Sequence, residues 1–339
     1  MALPVRTIGP FRVSAIGLGC MNLNHAYGVP PSEAEGIALI GRALDLGCTF
    51  LDTAALYGLG RNEELLAKAA GHRRAEFTLA TKCVLDAVGS ERRLDGSPAA
   101  IRTTVEGSLR RLRTDHVDLV YLHRIDRRVP IEDSVGALAD LVAEGKIGAV
   151  GLSEMSAATV RRAHAIHPIA AVQSEYSPWV RNPEIAVLDA CRELGIGFVA
   201  FSPVARGFLA GAVRDAAFAS GDIRSGMPRF QSPRLEHNLA TARAFEALAA
   251  EAGCSPAQLS LGWLLSRGDH VVPIPGTRSI AHVEENLAAG AMRFDAALLG
   301  LAEALFAPGA IRGARYSPAM QAQIDTETFP GEREAMAPA

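Results

Sequence analysis

The chain has 339 residues, 49% of them hydrophobic and 21% charged, with a formal net charge of −3. That balance is far from the polar bias of a disordered chain and suffices for a sizeable core. A slightly acidic total without any Lys/Arg block sets aside nucleic acid and anionic membrane as main partners and leaves a small molecule. Length alone would suggest two domains, but α/β barrels exceed that prior as single units, so one domain over 1–339 is expected.

Val5–Ile8 and Phe11–Val13 flank Gly9-Pro10 and read as a hairpin able to plug one end of a barrel. Short Val/Ile/Leu/Phe-rich runs then alternate with amphipathic segments, the pattern of a parallel sheet with crossover helices. The expected strands are Ala15–Gly19, Thr49–Asp52, Phe77–Lys82, Val117–His123, Ile147–Ser153, Ala171–Glu175, Gly197–Ser202 and Val271–Pro275. Between them, Ser32 with Glu33 and Glu35 opens a helix that Gly47 stops. Ser97-Pro98 opens one running to Arg113, Ser156 one running to His167, Asn182-Pro183-Glu184 one closed by Gly195, and Ser255-Pro256 one running to Leu265. Eight strands with intervening helices predict a (β/α)8 TIM barrel in the α/β class, with an open doubly wound sheet as the structural alternative. Two segments break the alternation. One is a long loop after strand 7, from Pro203 to about Pro233; the other is Ala307–Ala339, where Pro308, Pro318, Pro330 and Pro338 limit any long helix.

Cys20, Cys48, Cys83, Cys191 and Cys254 form no close pair and no metal-type spacing, which suits a reducing compartment. The first residues hold no apolar core of signal-peptide length, and no stretch approaches the roughly 18 apolar residues of a membrane span. A cytoplasmic location follows as the expectation. His164 and His167 stand three apart on an expected helix without a further ligand, so they read as a solvated face and no metal site is expected.

Asp52, Tyr57, Lys82 and His123 stand at or just beyond the C-terminal ends of strand-like runs, which converge on one mouth in a parallel barrel. A phenol is a reluctant acid near its ordinary pKa of about 10, and a neighbouring ammonium should pull that value down into a useful range. Lys82 would supply the ammonium, Asp52 the counter-charge that a buried lysine needs, and His123 a hydrogen bond to a substrate oxygen. These four argue for carbonyl reduction, while a Schiff-base aldolase on Lys82 or an Asp/His hydrolase stays open on the same residues.

Larger segments carry a resemblance. They are Phe50-Leu-Asp-Thr-Ala-Ala-Leu-Tyr-Gly58, Ala80-Thr-Lys82, the run from Ser108 to Arg124, the run from Glu144 to Glu154, Val172-Gln-Ser-Glu-Tyr-Ser177, the run from Ala200 to Leu209 and Ile274-Pro-Gly-Thr-Arg278. Along nearly its whole length the chain resembles the aldo-keto reductases. The resemblance implies NADPH-dependent, reversible reduction of an aldehyde or ketone, with Asp52, Tyr57, Lys82 and His123 as the catalytic tetrad and Tyr57 as proton donor. It implies a nicotinamide cofactor held at the barrel mouth, and the sequence agrees in having no Gly-x-Gly-x-x-Gly turn after Gly17-Leu-Gly19.

By the same resemblance Gly19, Cys20 and Met21 border the cofactor, Ser153 and Gln173 meet the nicotinamide carboxamide, and Phe201 stacks on the ring. Ser202, Pro203, Val204, Arg206 and Gly207 follow the pyrophosphate. Gly276, Thr277, Arg278 and His282 surround the adenosine 2′-phosphate, and Glu285 and Asn286 reach the adenine. His282 stands where many members carry Arg or Lys, so NADP(H) is the expected cofactor and use of NAD(H) stays open. Glu154 stands where other branches have Asn and is left outside the set. Trp179, Tyr27, Leu56, Arg124 and the 203–233 loop are candidate substrate walls. Because some members of that family are accessory subunits with an intact tetrad, a cofactor-binding sensor or regulatory subunit with slow turnover is the alternative. The sequence specifies neither the physiological carbonyl or alcohol nor any self-association.

Overall fold

The computed structural model describes residues 3–24, 26–88, 91–330 and 332; the proline expected at 338 lies outside them. The chain opens with the antiparallel hairpin β1 (Val5–Ile8) and β2 (Phe11–Ser14). Eight parallel strands follow, interleaved with helices. In order they are β3 (Leu18–Gly19), β4 (Phe50–Asp52), β5 (Thr78–Cys83), then, after a second hairpin of β6 (Leu85–Val88) and β7 (Glu91–Leu94), β8 (Val117–Leu122), β9 (Ile147–Ser153), β10 (Ile169–Glu175), β11 (Gly197–Phe201) and β12 (Val271–Pro273).

Each parallel strand lies beside its sequence neighbour in that series, and the ring is completed between first and last. The Gly17 and Gly19 amides donate to the carbonyls of Pro273 (3.0 Å) and Pro275 (3.2 Å). That seam is a half ladder for a simple reason. The two prolines occupy the positions whose N–H would face β3, and proline has none to give; Ile274 between them donates the other way, to Ala200. The expected barrel is thus present, and the open sheet is set aside.

The principal helices are α1 (Glu33–Asp45), α2 (Arg61–Ala70), α3 (Pro98–Leu112), α4 (Ile131–Ala143), α5 (Ala157–Ile166), α6 (Val187–Leu194), α7 (Arg234–Glu251), α8 (Pro256–Leu265), α9 (Ile280–Ala288) and α10 (Ala296–Leu305), with a short α11 (Pro318–Gln321) near the end. Their starts follow the local chemistry. Ser32 and Glu35 form a reciprocal capping box on α1, Ser255 and Gln258 another on α8, and Ser97 and Ser156 cap α3 and α5. Asn182–Ile185 forms a 3₁₀ turn ahead of α6 rather than its first turn, because the backbone leaves the helical region at Ala186 (φ −157) between them.

Apolar side chains partition into a layer between strands and helices and a lumen cluster that includes Phe50, Ala80, Leu119, Tyr121, Val199 and Val272. Ile8 and Val13 of the first hairpin join the lumen cluster, so the hairpin plugs the end opposite the strand C-termini. Gly9 makes the turn with φ +52, and a Cβ there would meet the Ala170 Cβ at 2.5 Å. Among the described residues no helix is long and apolar enough to cross a membrane.

Candidate active site at the barrel mouth

Asp52 ends β4, Lys82 stands next to last in β5, His123 follows β8, and Tyr57 opens a 3₁₀ turn five residues beyond Asp52. The fold brings all four together. The Lys82 Nζ pairs with Asp52 Oδ1, donates to the Thr53 carbonyl (2.7 Å) and to the Tyr57 hydroxyl (3.4 Å), and lies 5.0 Å from the Tyr57 ring centroid. The other Asp52 oxygen accepts from Gln173 Nε2 at 2.7 Å. The Tyr57 and His123 rings meet edge to face, 5.8 Å apart.

Burial dominates the electrostatics. It raises the Tyr57 phenol above its ordinary value, and the Lys82 charge pulls it only part of the way back. The expected depression of the phenol is therefore not what this arrangement produces, and Tyr57 keeps its proton at neutral pH. Burial also pushes the Asp52 carboxyl up against the pull of Lys82 and Gln173. For Lys82, burial favours the neutral amine, but Asp52 and Tyr57 together outweigh it and hold the ammonium above its ordinary range.

Asp52, Tyr57 and His123 border a cavity of about 730 Å³, and Lys82 lies behind them. The cavity continues past Ser153, Gln173 and Phe201, then Ser202, Pro203, Val204, Arg206 and Gly207, to Gly276, Thr277, Arg278, His282, Glu285 and Asn286; Gly19 and Met21 also line it. The long loop after β11 folds into three 3₁₀ turns and crosses the groove. Its Ile223 amide donates to Ala26 O (3.0 Å), while Arg278 Nη1 donates to Val29 O (2.6 Å) from the other side.

These are groups that a nicotinamide dinucleotide would meet. An aromatic wall and an amide stand beside the tetrad, and hydroxyl and guanidinium donors stand at the far end. Gly276 permits the close crossing between, since a Cβ there would come within 2.8 Å of the Gly19 carbonyl and 2.9 Å of Asn22 Oδ1.

The sequence matches the profile of the Aldo/keto reductase family over residues 15–305. The chain belongs to that family. It is 43% identical over 340 residues to an aldo-keto reductase of Schizosaccharomyces pombe named yakc [NADP(+)], an alignment covering 97% of this chain and 99% of the relative. Its fold is similar to a glycerol dehydrogenase of Gluconobacter oxydans, with TM-score 0.81, 28% identity and coverage of 96% and 97% of the two chains. It is also similar to an aldo-keto reductase of Bacillus halodurans in its holo form, with TM-score 0.77, 27% identity and coverage of 91% and 98%. Membership makes the protein an NAD(P)H-dependent oxidoreductase.

Within this aldo-keto reductase some expected residues are placed otherwise. The Cys20 side chain turns into the core and does not line the cavity. Its amide is spent on Asp52 O (2.9 Å) and its carbonyl on Asn62 Nδ2 (2.9 Å). Trp179 is no substrate wall. It is buried against Phe208 and Phe230, whereas Tyr27, Leu56 and Arg124 do line the cavity. Arg206 reaches the groove, but its guanidinium is committed to Glu175 Oε2 (2.9 Å) and the Tyr316 hydroxyl (3.1 Å), so it offers an anion less than its sequence position implied.

Glu154 explains itself as an anchor. It is fully buried, its carboxylate pairs with Arg315 and accepts from Thr326 Oγ1 (3.0 Å) and the Glu175 amide (2.8 Å), and its carbonyl accepts from the Asp325 amide (2.8 Å). The pair ties the segment that carries Tyr316 and Met320, both cavity-lining, onto the ends of β9 and β10. Glu154→Ala strands the Arg315 cation and is expected to cost about 3–5 kcal/mol of stability. The same substitution should raise KM for the carbonyl more than it lowers kcat, checked by urea unfolding and steady-state kinetics.

Proposed function

We propose that the protein reduces an aldehyde or ketone to its alcohol with NADPH, reversibly, with Tyr57 as proton donor. The observation that carries this reading is the Tyr57 hydroxyl on the cavity wall with Lys82 behind it and His123 beside it. When bound, the reduced nicotinamide supplies hydride to the carbonyl carbon.

The chain's residues do the remainder. Tyr57 and His123 hold the carbonyl oxygen and meet the negative charge that develops there. The raised phenol stays neutral and so can give a proton. The Lys82–Asp52 pair stabilises the phenolate left behind, and Gln173 steadies Asp52. Leu56, Met21 and Met320 supply an apolar wall for the body of the substrate.

Arg278, Thr277 and Ser279 with His282 form the end of the groove suited to a 2′-phosphate, and the yeast relative carries NADP(+) in its name. Arg278→Ala should therefore raise KM for NADPH by roughly 10- to 100-fold, the worth of a charge-assisted contact, and leave KM for NADH nearly unchanged. A cytoplasmic site of action suits the five free thiols, four of them buried, with Cys48 pushed up to about 11 and Cys83 to about 12 by burial.

The experiment is consumption of NADPH against a carbonyl panel including 4-nitrobenzaldehyde. Many turnovers per protein support the reductase; cofactor binding with at most one slow turnover moves the assignment to a sensor or regulatory subunit.

A further inference from the structure

We propose, building on the reductase reading, that Arg92 and Arg124 select carbonyl substrates carrying an oxyanionic group, a carboxylate or a phosphate, remote from the reacting carbon. Both line the cavity that Tyr57 and His123 border. Arg124 directly follows His123, and Arg92 lies on β7 of the second hairpin, beside the same mouth.

Their partners set them apart from Arg206 and Arg224, while Arg278, also bonded only to a carbonyl, stands at the adenosine end of the groove. Arg206 is neutralised by Glu175 and Arg224 by Asp222. Arg124 donates to the His123 carbonyl (2.7 Å) and to Ser153 Oγ (3.4 Å), both uncharged, so it is held in place without an ion pair among the described residues. The Arg92 guanidinium makes no ion pair or hydrogen bond with a described residue, although its neighbour Arg93 pairs with Asp95. The two cations are also close enough to feel each other. Partial burial lowers the Arg92 guanidinium and the like charge of Arg124 lowers it further.

Carboxylates elsewhere on the wall do not relieve them. Asp52 is matched by Lys82. Glu35 and Glu285 stand on α1 and α9, which are linked by the Arg42–Glu284 pair at the Arg278 end. Two planar guanidinium forks facing one opening, short of counter-charge, suit an oxyanion that accepts paired hydrogen bonds. Met21, Leu56 and Met320 leave an apolar span for the substrate body.

The test compares 4-carboxybenzaldehyde and 4-formylphenyl phosphate with benzaldehyde, taking the ratio of kcat/KM values in wild type and in variants so that intrinsic reactivities cancel. Wild type should favour at least one charged aldehyde by roughly tenfold or more. Arg92→Glu should reverse the preference, Arg92→Lys should keep part of it, and which anion is favoured separates carboxylate from phosphate. Equal ratios in wild type and Arg92→Glu overturn the proposal.

Titration of 4-(hydroxymethyl)benzoate and 4-(hydroxymethyl)phenyl phosphate against benzyl alcohol, on protein saturated with NADPH, which cannot take hydride from an alcohol, reads the same selectivity without turnover. An inert enzyme that still binds a charged alcohol more tightly, and loses this in Arg92→Glu, refutes the reductase reading but upholds the anion site. Active enzyme without charge preference does the converse.

Discussion

Lys82→Met is expected to destabilise the protein by about 3–5 kcal/mol. Methionine fills most of the volume, so the loss is electrostatic. It leaves the Asp52 carboxylate almost fully buried with Gln173 as its remaining side-chain donor. Asp52 is already pushed up by burial, and without the lysine nothing cationic opposes that push. Its carboxyl then has a folded pKa above the unfolded one, so it favours the fold at low pH and loses that contribution as pH rises through the folded value. The variant should therefore be least impaired in mild acid and most impaired at neutral pH and above.

Asp52→Asn combined with Lys82→Met removes both charges and should regain much of the stability while staying inactive. Urea unfolding of the two variants at acidic and neutral pH checks this. A single variant within about 0.5 kcal/mol of wild type would mean that the pair is not the structural keystone of the site.

The barrel was legible because its punctuation is local. Ser32, Ser97, Ser156 and Ser255 each cap the helix that the sequence pattern starts at them, and the apolar runs between are short, as in buried strands. Asp52, Lys82 and His123 could be picked out because they follow such runs, where a parallel barrel gathers its functional groups. The hairpin plug followed from two alternating strands around Gly9-Pro10.

Other features depend on contacts that leave no local trace. Glu154 and Arg315 are 161 residues apart, and only the folded chain shows that the glutamate anchors the C-terminal segment. Arg92 sits on a hairpin that the apolar pattern did not reveal, because Glu91-Arg-Arg-Leu94 is mostly polar. Cys20 and Trp179 stand near strand ends like the true wall residues, but position on a strand does not decide which way a side chain turns in a loop. The phenol was misjudged for a different reason. Charge proximity was readable in sequence, whereas the burial that outweighs it is a property of the whole mouth.

Tyr57→Phe removes the hydroxyl and little else. The ring stays in its cluster with Ala54, Leu56 and Leu85, and Lys82 retains Asp52 and the Thr53 carbonyl. Folding and NADPH affinity should be preserved, while carbonyl reduction falls by about 10²–10⁴, the span of general acid catalysis. In wild type, kcat/KM for reduction should stay level through neutral pH, because the neutral phenol is the working form and its pKa lies above the ordinary value. It should decline only as pH rises through that raised pKa.

The decisive measurement is NADPH oxidation by wild type and Tyr57→Phe side by side with 4-nitrobenzaldehyde, with cofactor binding to each followed by fluorescence. Multiple turnover by wild type and none by a variant that still binds NADPH is the predicted result. Equal turnover by both proteins would contradict the assignment of Tyr57 as the proton donor, and binding without turnover by both would contradict the enzyme itself.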